Sequence, residues 1–360
     1  MFKYTLIIVG ILFVLLIAAI SIGVYYFFPS KDRVLKFIKE NPTKSAITVF
    51  KNDSLITDIN SDKIMPLAST VKIIIAIEYA EQAASNKIDP NEMIDIEEID
   101  YFYAKNTDGG AHPAWKNSLK NSIIDGQVPI KEIAKGMIRY SSNANTEWLQ
   151  KKLGLDNINN RLDSLGIKNH TEIYYLVSSL YVQKEMYPDL NGESLKDSLR
   201  NISREGYIET INNIHSKLLA DTTYRNELKS LPLSEQQVWS DRLPASTTFE
   251  YAHLMKKLNS KTYFSKQVYS YLDEVMEGLM ESEANKKQFL HAGTKGGSTA
   301  FVLTTALYAT DKQGNTFEIA YFFDGLGPIE STQLNISLND FELALLTNDE
   351  FLEKFSLVLN

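Results

Sequence analysis

The sequence predicts an α+β fold: an antiparallel sheet flanked by terminal helices, an enlarged all-helical lobe inserted between its strands, and one transmembrane helix ahead of both. Three observations predict this. Strand-like stretches occur only towards the two ends of the polar part of the chain, the middle carries helical periodicity, and the first thirty residues are apolar.

Between Lys3 and Lys31 no residue is charged. A run of about 24 apolar residues at about 1.5 Å rise outreaches the ~30 Å hydrocarbon core of a bilayer. Tyr25, Tyr26, Phe27 and Phe28 fall where aromatic residues anchor a span at the interface. A cleavable signal peptide has an apolar core of only about 7–15 residues closed by small residues, whereas this segment is longer and ends in aromatics. Residues 4–28 are therefore expected to cross the membrane within an uncleaved anchor, 1–30. Residues 31–44 read as a linker and 45–360 as one domain, with the helical lobe at about 91–290. The positive-inside count, with Lys31, Arg33, Lys36 and Lys39 after the span, favours a cytoplasmic domain. A lone N-terminal apolar segment usually acts as an export signal, and the chemistry below points the same way. We expect a single-pass protein of the cell membrane with its domain outside.

Residues 45–51 read as a strand, Asn52-Asp53 as a turn and 54–60 as the returning strand. After Pro66, Ser69 opens an apolar helix reaching about Ala84. Amphipathic stretches follow near 130–139, 145–153, 156–164, 194–220, 248–258 and 264–280. Residues 298–310 look like one buried strand, 311–315 a turn, 316–323 its partner, and 338–358 a final helix.

Composition narrows the function. A chain of 360 residues, 44% hydrophobic, has ample material for a packed core. A net charge of -8 without a basic stripe argues against a nucleic-acid partner. The absence of cysteine removes disulfides and thiolate chemistry. His112, His170, His215, His253 and His291 show no metal-ligand spacing, so no metal or cofactor is expected.

Three short motifs carry the chemistry. In Ser69-Thr70-Val71-Lys72, helical spacing brings the lysine amine towards the serine hydroxyl. A serine becomes a nucleophile when a base takes its proton, and a lysine is such a base when burial or nearby positive charge keeps it neutral. Alone, the four residues fit equally an N-cap serine and an exposed lysine. Tyr140-Ser141-Ser142-Asn143 lies between helical stretches: Ser141 could relay a proton and Asn143 hold an amide, or the segment is a plain joint. Ala292 to Thr299 is glycine-rich and carries Lys295, a loop that either admits a ligand or merely turns into a strand. Its order of glycines and lysine is not that of a phosphate-binding loop.

Taken together and in order, Ser69-x-x-Lys72, Ser141-x-Asn143 and Lys295-x-Gly297 resemble the S-x-x-K, S-D-N and K-T-G signature of class A β-lactamases and penicillin-binding proteins. The resemblance spans nearly the whole polar chain and implies a serine hydrolase of β-lactamase/transpeptidase-like fold. It implies that Ser69 forms an acyl-enzyme with a β-lactam, a peptidoglycan peptide or an ester. Lys72 would be the general base, and Ser141, assisted by Lys295, would pass a proton to the leaving group. Asn143, Gly297, Ser298 and Thr299 would contact substrate, and the backbone amides of Ser69 and Ser298 would hold the oxyanion. The sequence departs from the family at Ser142, where aspartate is usual, and at Gly296, where a hydroxyl residue is usual; Ser298 or Thr299 could replace that hydroxyl. The glutamate of E-x-x-L-N, which activates the deacylating water, has no counterpart: Tyr187 to Asn191 carries tyrosine in its place, and alignment by distance lands at Tyr174 to Leu176, near Glu172. The interval from Ser141 to Lys295 also exceeds the family's usual length. Without that glutamate an acyl-enzyme should persist. The same departures fit a second reading, a cell-surface binding protein that keeps the fold without turnover.

Overall fold

The structure is a computed structural model that describes residues 13, 16, 23, 28–119, 123–221, 223–228 and 232–359. The anchor expected over residues 4–28 falls almost wholly outside them. Among the described residues no helix is long and apolar enough to cross a membrane. The chain forms two compact units, residues 1–44 with 326–360, and residues 45–325.

Residues 31–44, expected as a linker, instead begin with helix α1 (Lys31–Glu40), whose Val34, Leu35, Phe37 and Ile38 are buried. Apolar residues at three- and four-residue spacing give it one buried face.

The larger unit opens with the hairpin β1 (Ser45–Lys51) and β2 (Ser54–Ile59). Asn52 and Asp53 turn it with φ of 49° and 65°, left-handed values that Asn and Asp tolerate and that match the twist of a hairpin. After β3 (Met65–Pro66) comes a 3₁₀ turn, Ala68–Val71, and then α2 (Lys72–Ala84). The expected helix from Ser69 is thus two elements, and the serine stands on the tighter one. The chain continues through β4 (Met93–Asp95), α3 (Ile96–Asp100), α4 (Ala111–Leu119), β5 (Gln127–Pro129) and α5 (Ile130–Lys135). A π-helical turn, Gly136–Tyr140, leads to α6 (Asn143–Leu153) and α7 (Leu155–Ser164). Next come α8 (Val182–Met186), α9 (Gly192–Arg200), α10 (Arg204–Ala220) and α11 (Leu233–Asp241). Then follow β6 (Ala245–Ser246), α12 (Thr248–Asn259), α13 (Lys266–Met276) and α14 (Glu283–Gln288). The unit closes with β7 (Phe289–Ser298), β8 (Leu303–Asp311) and β9 (Thr316–Phe323).

The main sheet is antiparallel, in the order β2-β1-β9-β8-β7. Strands from both ends of the unit therefore meet, as expected, with Ile47 opposite Tyr321 at the seam. Residues 298–310 are not one strand: β7 ends at Ser298 and β8 begins at Leu303, so the glycine-rich motif lies inside an edge strand rather than before it. The lobe is not all-helical either, since β4 pairs with β5 within it. Helix α12 belongs with the sheet: Thr248 shares a 2.9 Å hydrogen bond with Thr48 of β1, and Asn259 donates to the Ala309 carbonyl of β8. The stretch 194–220 is broken at 201–203, where Ser203 caps α10 by accepting from the Gly206 amide.

One apolar cluster runs from α2, with Ile73, Ile74, Ile75 and Ile77 all fully buried, through α5, α6, α10 and α13. Eleven of the thirteen residues of α2 are buried, so it runs through the core with almost every face covered. That burial decides the environment of its first residue, Lys72.

The smaller unit ends with α15 (Pro328–Thr347) and α16 (Asp349–Leu359), two helices where one was expected. The Asn348 side chain accepts the Phe351 amide at the break. Both helices pack with α1, and Lys44 joins Glu330 at 2.7 Å.

Candidate active site

Ser69 stands on the 3₁₀ turn, straight after Ala68, whose φ of 45° is left-handed and costly for an alanine. Two buried threonines pin the turn: Thr70 Oγ1 lies 2.8 Å from Thr304 Oγ1 of β8, and Thr304 donates to the Leu67 carbonyl at 2.8 Å. Among the described residues the Ser69 hydroxyl forms no hydrogen bond, and it is half-buried.

One residue past that turn, Lys72 is fully buried. Its Nζ donates to the Ser141 carbonyl at 2.7 Å and to Asn143 Oδ1 at 2.8 Å, and lies 3.3 Å from Ser141 Oγ. Both acceptor residues bracket the joint between the π turn and α6. Ser141 itself has φ 65°, ψ 26°, a left-handed conformation that aims its carbonyl and hydroxyl at one amine.

On β7, Lys295 is 5% exposed, and its Nζ donates to Ser141 Oγ at 3.0 Å and to the Gly296 carbonyl at 2.6 Å. Two amines thus converge on one hydroxyl. Gly297 brings the third motif onto the first: a Cβ there would stand 2.5 Å from the Ser69 nitrogen and 2.7 Å from the Leu67 carbonyl. Only a glycine allows that approach.

Electrostatics follow from burial. Burial pushes the Lys72 amine well below the usual lysine range, the positive charge of Lys295 pushes it further, and Asp108 partly opposes both. Burial alone lowers Lys295 to about 7. Neither amine has an ion-pair partner among the described residues.

The structure therefore gathers Ser69, Lys72, Ser141, Asn143, Lys295 and Gly297. Ser298, the last residue of β7, is exposed beside them. Thr299 is already engaged: its hydroxyl accepts the Phe301 and Val302 amides at 3.1 Å each and shares a 2.7 Å hydrogen bond with Ser240 at the end of α11. Of the two candidates for the missing hydroxyl, Ser298 is the one whose side chain makes no hydrogen bond among the described residues. Next to Lys295 a cleft of about 730 Å³ opens, walled by Arg139, Tyr140, Leu279 and Gly296.

Among the described residues no glutamate hydrogen-bonds to Ser69 or Lys72. Glu172 and Asp189 are both exposed, and neither hydrogen-bonds to Ser69 or Lys72. The carboxylate that does reach the loop after α7 is Glu147 of α6, which reading by motif missed. It is fully buried and accepts from the Val177 amide at 2.6 Å, the Ser178 amide at 2.9 Å, the Ser178 hydroxyl and His215 Nδ1 at 2.9 Å. His215 comes from α10 and stacks on Tyr175 at 3.6 Å. The one available signal was its spacing, one helical turn after Asn143. No group of metal-ligating side chains occurs among the described residues.

Residues 29–257 match the Beta-lactamase enzyme family, more than half of the chain. The chain belongs to the Beta-lactamase enzyme family. The match stops short of β7, so Lys295 and Gly297 enter the family comparison through the fold. No curated protein matches this family member's sequence. The β-lactamase of Sphaerobacter thermophilus is similar in structure, with a TM-score of 0.55 at 15% identity, covering 87% of this chain and 95% of that one. The β-lactamase of Chitinophaga pinensis gives 0.52 at 12% identity, over 87% and 99%. A mutant of PBP-A, captured as an acyl-enzyme with penicillin G, gives 0.50 at 14% identity, over 87% and 94%. At such identities the likeness establishes a shared fold: helices around an antiparallel sheet, as in these β-lactamase-family proteins.

Proposed function

We propose that this member of the Beta-lactamase enzyme family is an acyl-serine hydrolase with Ser69 as nucleophile. The observation that carries the reading is Lys72: an amine fully buried, unpaired with any carboxylate, and hydrogen-bonded to Ser141 and Asn143. Such an amine is held neutral and is free to take a proton. Lys72 removes the Ser69 proton as the oxygen bonds to the carbonyl carbon of a β-lactam, a peptidoglycan peptide or an ester. The backbone amides of Ser69 and Ser298 hold the oxyanion. As the tetrahedral adduct collapses, Ser141 donates its proton to the departing nitrogen or oxygen and is reprotonated by Lys72, 3.3 Å away, while Lys295 supports that hydroxyl. Asn143 orients Lys72 and the substrate amide. With no glutamate at hand, water attacks the acyl-enzyme slowly.

We assign residues 4–28 to a membrane anchor with the domain outside the cell, on the strength of the uncharged stretch between Lys3 and Lys31. Protease added to intact cells should then digest the domain.

Intact-protein mass spectrometry during incubation with a penicillin tests the mechanism. The expected result is a mass gain of one penicillin that decays slowly and is absent in Ser69→Ala. Binding without any mass gain would instead favour a non-catalytic binding protein.

A further inference from the structure

Behind Ser141 and Asn143 lies a second polar cluster with no part in the chemistry above. His112 of α4 is 1% exposed. Its Nδ1 lies 3.0 Å from Ser142 Oγ and 3.2 Å from Asn145 Oδ1, and its Nε2 lies 2.7 Å from Asp100 Oδ1. Ser142 Oγ donates to Asn145 Oδ1 at 2.8 Å, and the Asn145 amide group donates to the Ile133 carbonyl at 3.1 Å. That last bond fixes the amide's orientation, since flipping it would set two carbonyl oxygens against each other. Bare Gly136 makes room for it: a Cβ there would lie 2.2 Å from Asn145 Nδ2.

A count of hydrogens follows. Asn145 Oδ1 can only accept, and Ser142 has a single hydrogen, already given to it. An unprotonated Nδ1 would face lone pairs on both neighbours, so Nδ1 must carry a hydrogen. Asp100 also accepts from Lys116 Nζ at 2.7 Å. That ammonium is an ion-pair partner independent of the histidine, and it keeps Asp100 as a carboxylate. Nε2 therefore donates to a carboxylate. Both ring nitrogens are protonated.

The remaining neighbours agree. Asp108 accepts the His112 backbone amide at 2.9 Å, Tyr103 and Trp115 cover the ring with centroids at 4.7 and 5.3 Å, and the facing groups at the start of α6, its N-cap Ser142 and Asn145, are neutral.

We propose that His112, backed by Asp100, is a positioning residue: the pair stores one proton and, through Ser142 and Asn145, holds Ser141 and Asn143 against Lys72. Ser142, whose place in the family motif is an aspartate's, takes its negative partner at one remove, from α3. The left-handed Ser141 is where this matters, because a strained residue persists only when its surroundings over-determine it. The pair carries no proton to substrate. The inference rests on the acyl-serine reading for its kinetic consequence, but not for its protonation state.

The test has two arms. In the first, nitrogen-15 NMR of the wild-type protein at neutral pH should show His112 with both ring nitrogens protonated, and a single-proton tautomer would overturn the proposal whether or not the protein acylates. In the second, penicillin acylation is followed for the wild type, His112→Leu, His112→Asn and Asp100→Asn. His112→Leu should lower the acylation rate constant roughly 10- to 100-fold with substrate binding little changed. His112→Asn, whose amide N–H can stand in for Nδ1–H, should recover most of that rate. Asp100→Asn, which removes the charge behind the ring, should lose rate as His112→Leu does. Equal rates in His112→Leu and His112→Asn, or a wild-type rate in Asp100→Asn, would sink the idea. A His112→Leu protein that does not fold leaves Asp100→Asn and the NMR arm to decide.

Discussion

The Ser69 nitrogen lies 2.5 Å from the point where a Cβ on Gly297 would stand. The edge strand and the turn that carries Ser69 therefore touch backbone to backbone. Gly297→Ala must push them apart or fail to pack, and overpacking of this kind typically costs about 1–3 kcal/mol. We expect a folded protein with a lower denaturation midpoint and little or no labelling by a fluorescent penicillin. Full labelling at wild-type stability would mean the strand has slack there.

Lys72 trades stability for reactivity. Its amine occupies a fully buried position at the start of an apolar helix. Lys72→Met should slow acylation by roughly 10²–10⁴-fold, the range for loss of a positioned base. The same variant should melt no lower than wild type, because an unpaired buried amine is replaced by an apolar chain of similar length. A large drop in melting temperature would show that the three hydrogen bonds of the amine outweigh its burial.

Lys295 sets pH dependence in two ways. Its positive charge adds to burial in lowering the Lys72 pKa. Lys295→Met removes that charge, so the Lys72 pKa rises and the acid limb of acylation should move to higher pH. The stability effect has its own sign. Folded Lys295 releases its proton near 7, whereas the unfolded side chain keeps it to about 10.5. Between those values the unfolded state binds the extra proton, so wild-type stability should rise with pH relative to Lys295→Met. Denaturation midpoints of both proteins at pH 7 and pH 9 measure it, and a constant difference would refute the assignment.

Glu147 accepts from three donors of the loop after α7 and from a fourth, His215, on α10. Glu147→Ala leaves all four without a partner, and breaking a buried polar set this way costs about 3–5 kcal/mol. We expect the loss in denaturation experiments, together with faster proteolytic cutting between Ile173 and Ser178. Glu147→Gln, which keeps an acceptor, should fall between the two.

Much of the fold was legible because its signals are local. Alternating apolar residues and an Asn-Asp turn marked β1 and β2, and their union with β9 followed from strands at both ends. The motifs Ser69-x-x-Lys72, Ser141-x-Asn143 and Lys295-x-Gly297 pointed to the candidate site, since each is short and its members lie within four residues of one another. What stayed hidden depends on distant partners. Residues 298–310 read as one strand because Ala300 to Val302 are as compatible with a strand as their neighbours; the break comes from Thr299 capping its own turn with help from Ser240. The buried helix at 31–40 looked like a linker because its four charged lysine and arginine residues mask an apolar face. The bonds of Glu147 and His112 join residues 12 to 68 positions apart, and no spacing rule reaches that far.

The hydrogen bond between Ser240 and Thr299, with that from Trp239 to Ser179, has an engineering corollary. Helix α11 grips the β7–β8 corner at one point and the segment after α7 at another, like a hand on two handles. Grafting the catalytic halves of this chain onto a shorter relative, or trimming residues 192–241 to match one, would release both grips at once. Residues 192–241 are thus part of what holds that corner and that segment in place, and any hybrid would have to carry them along.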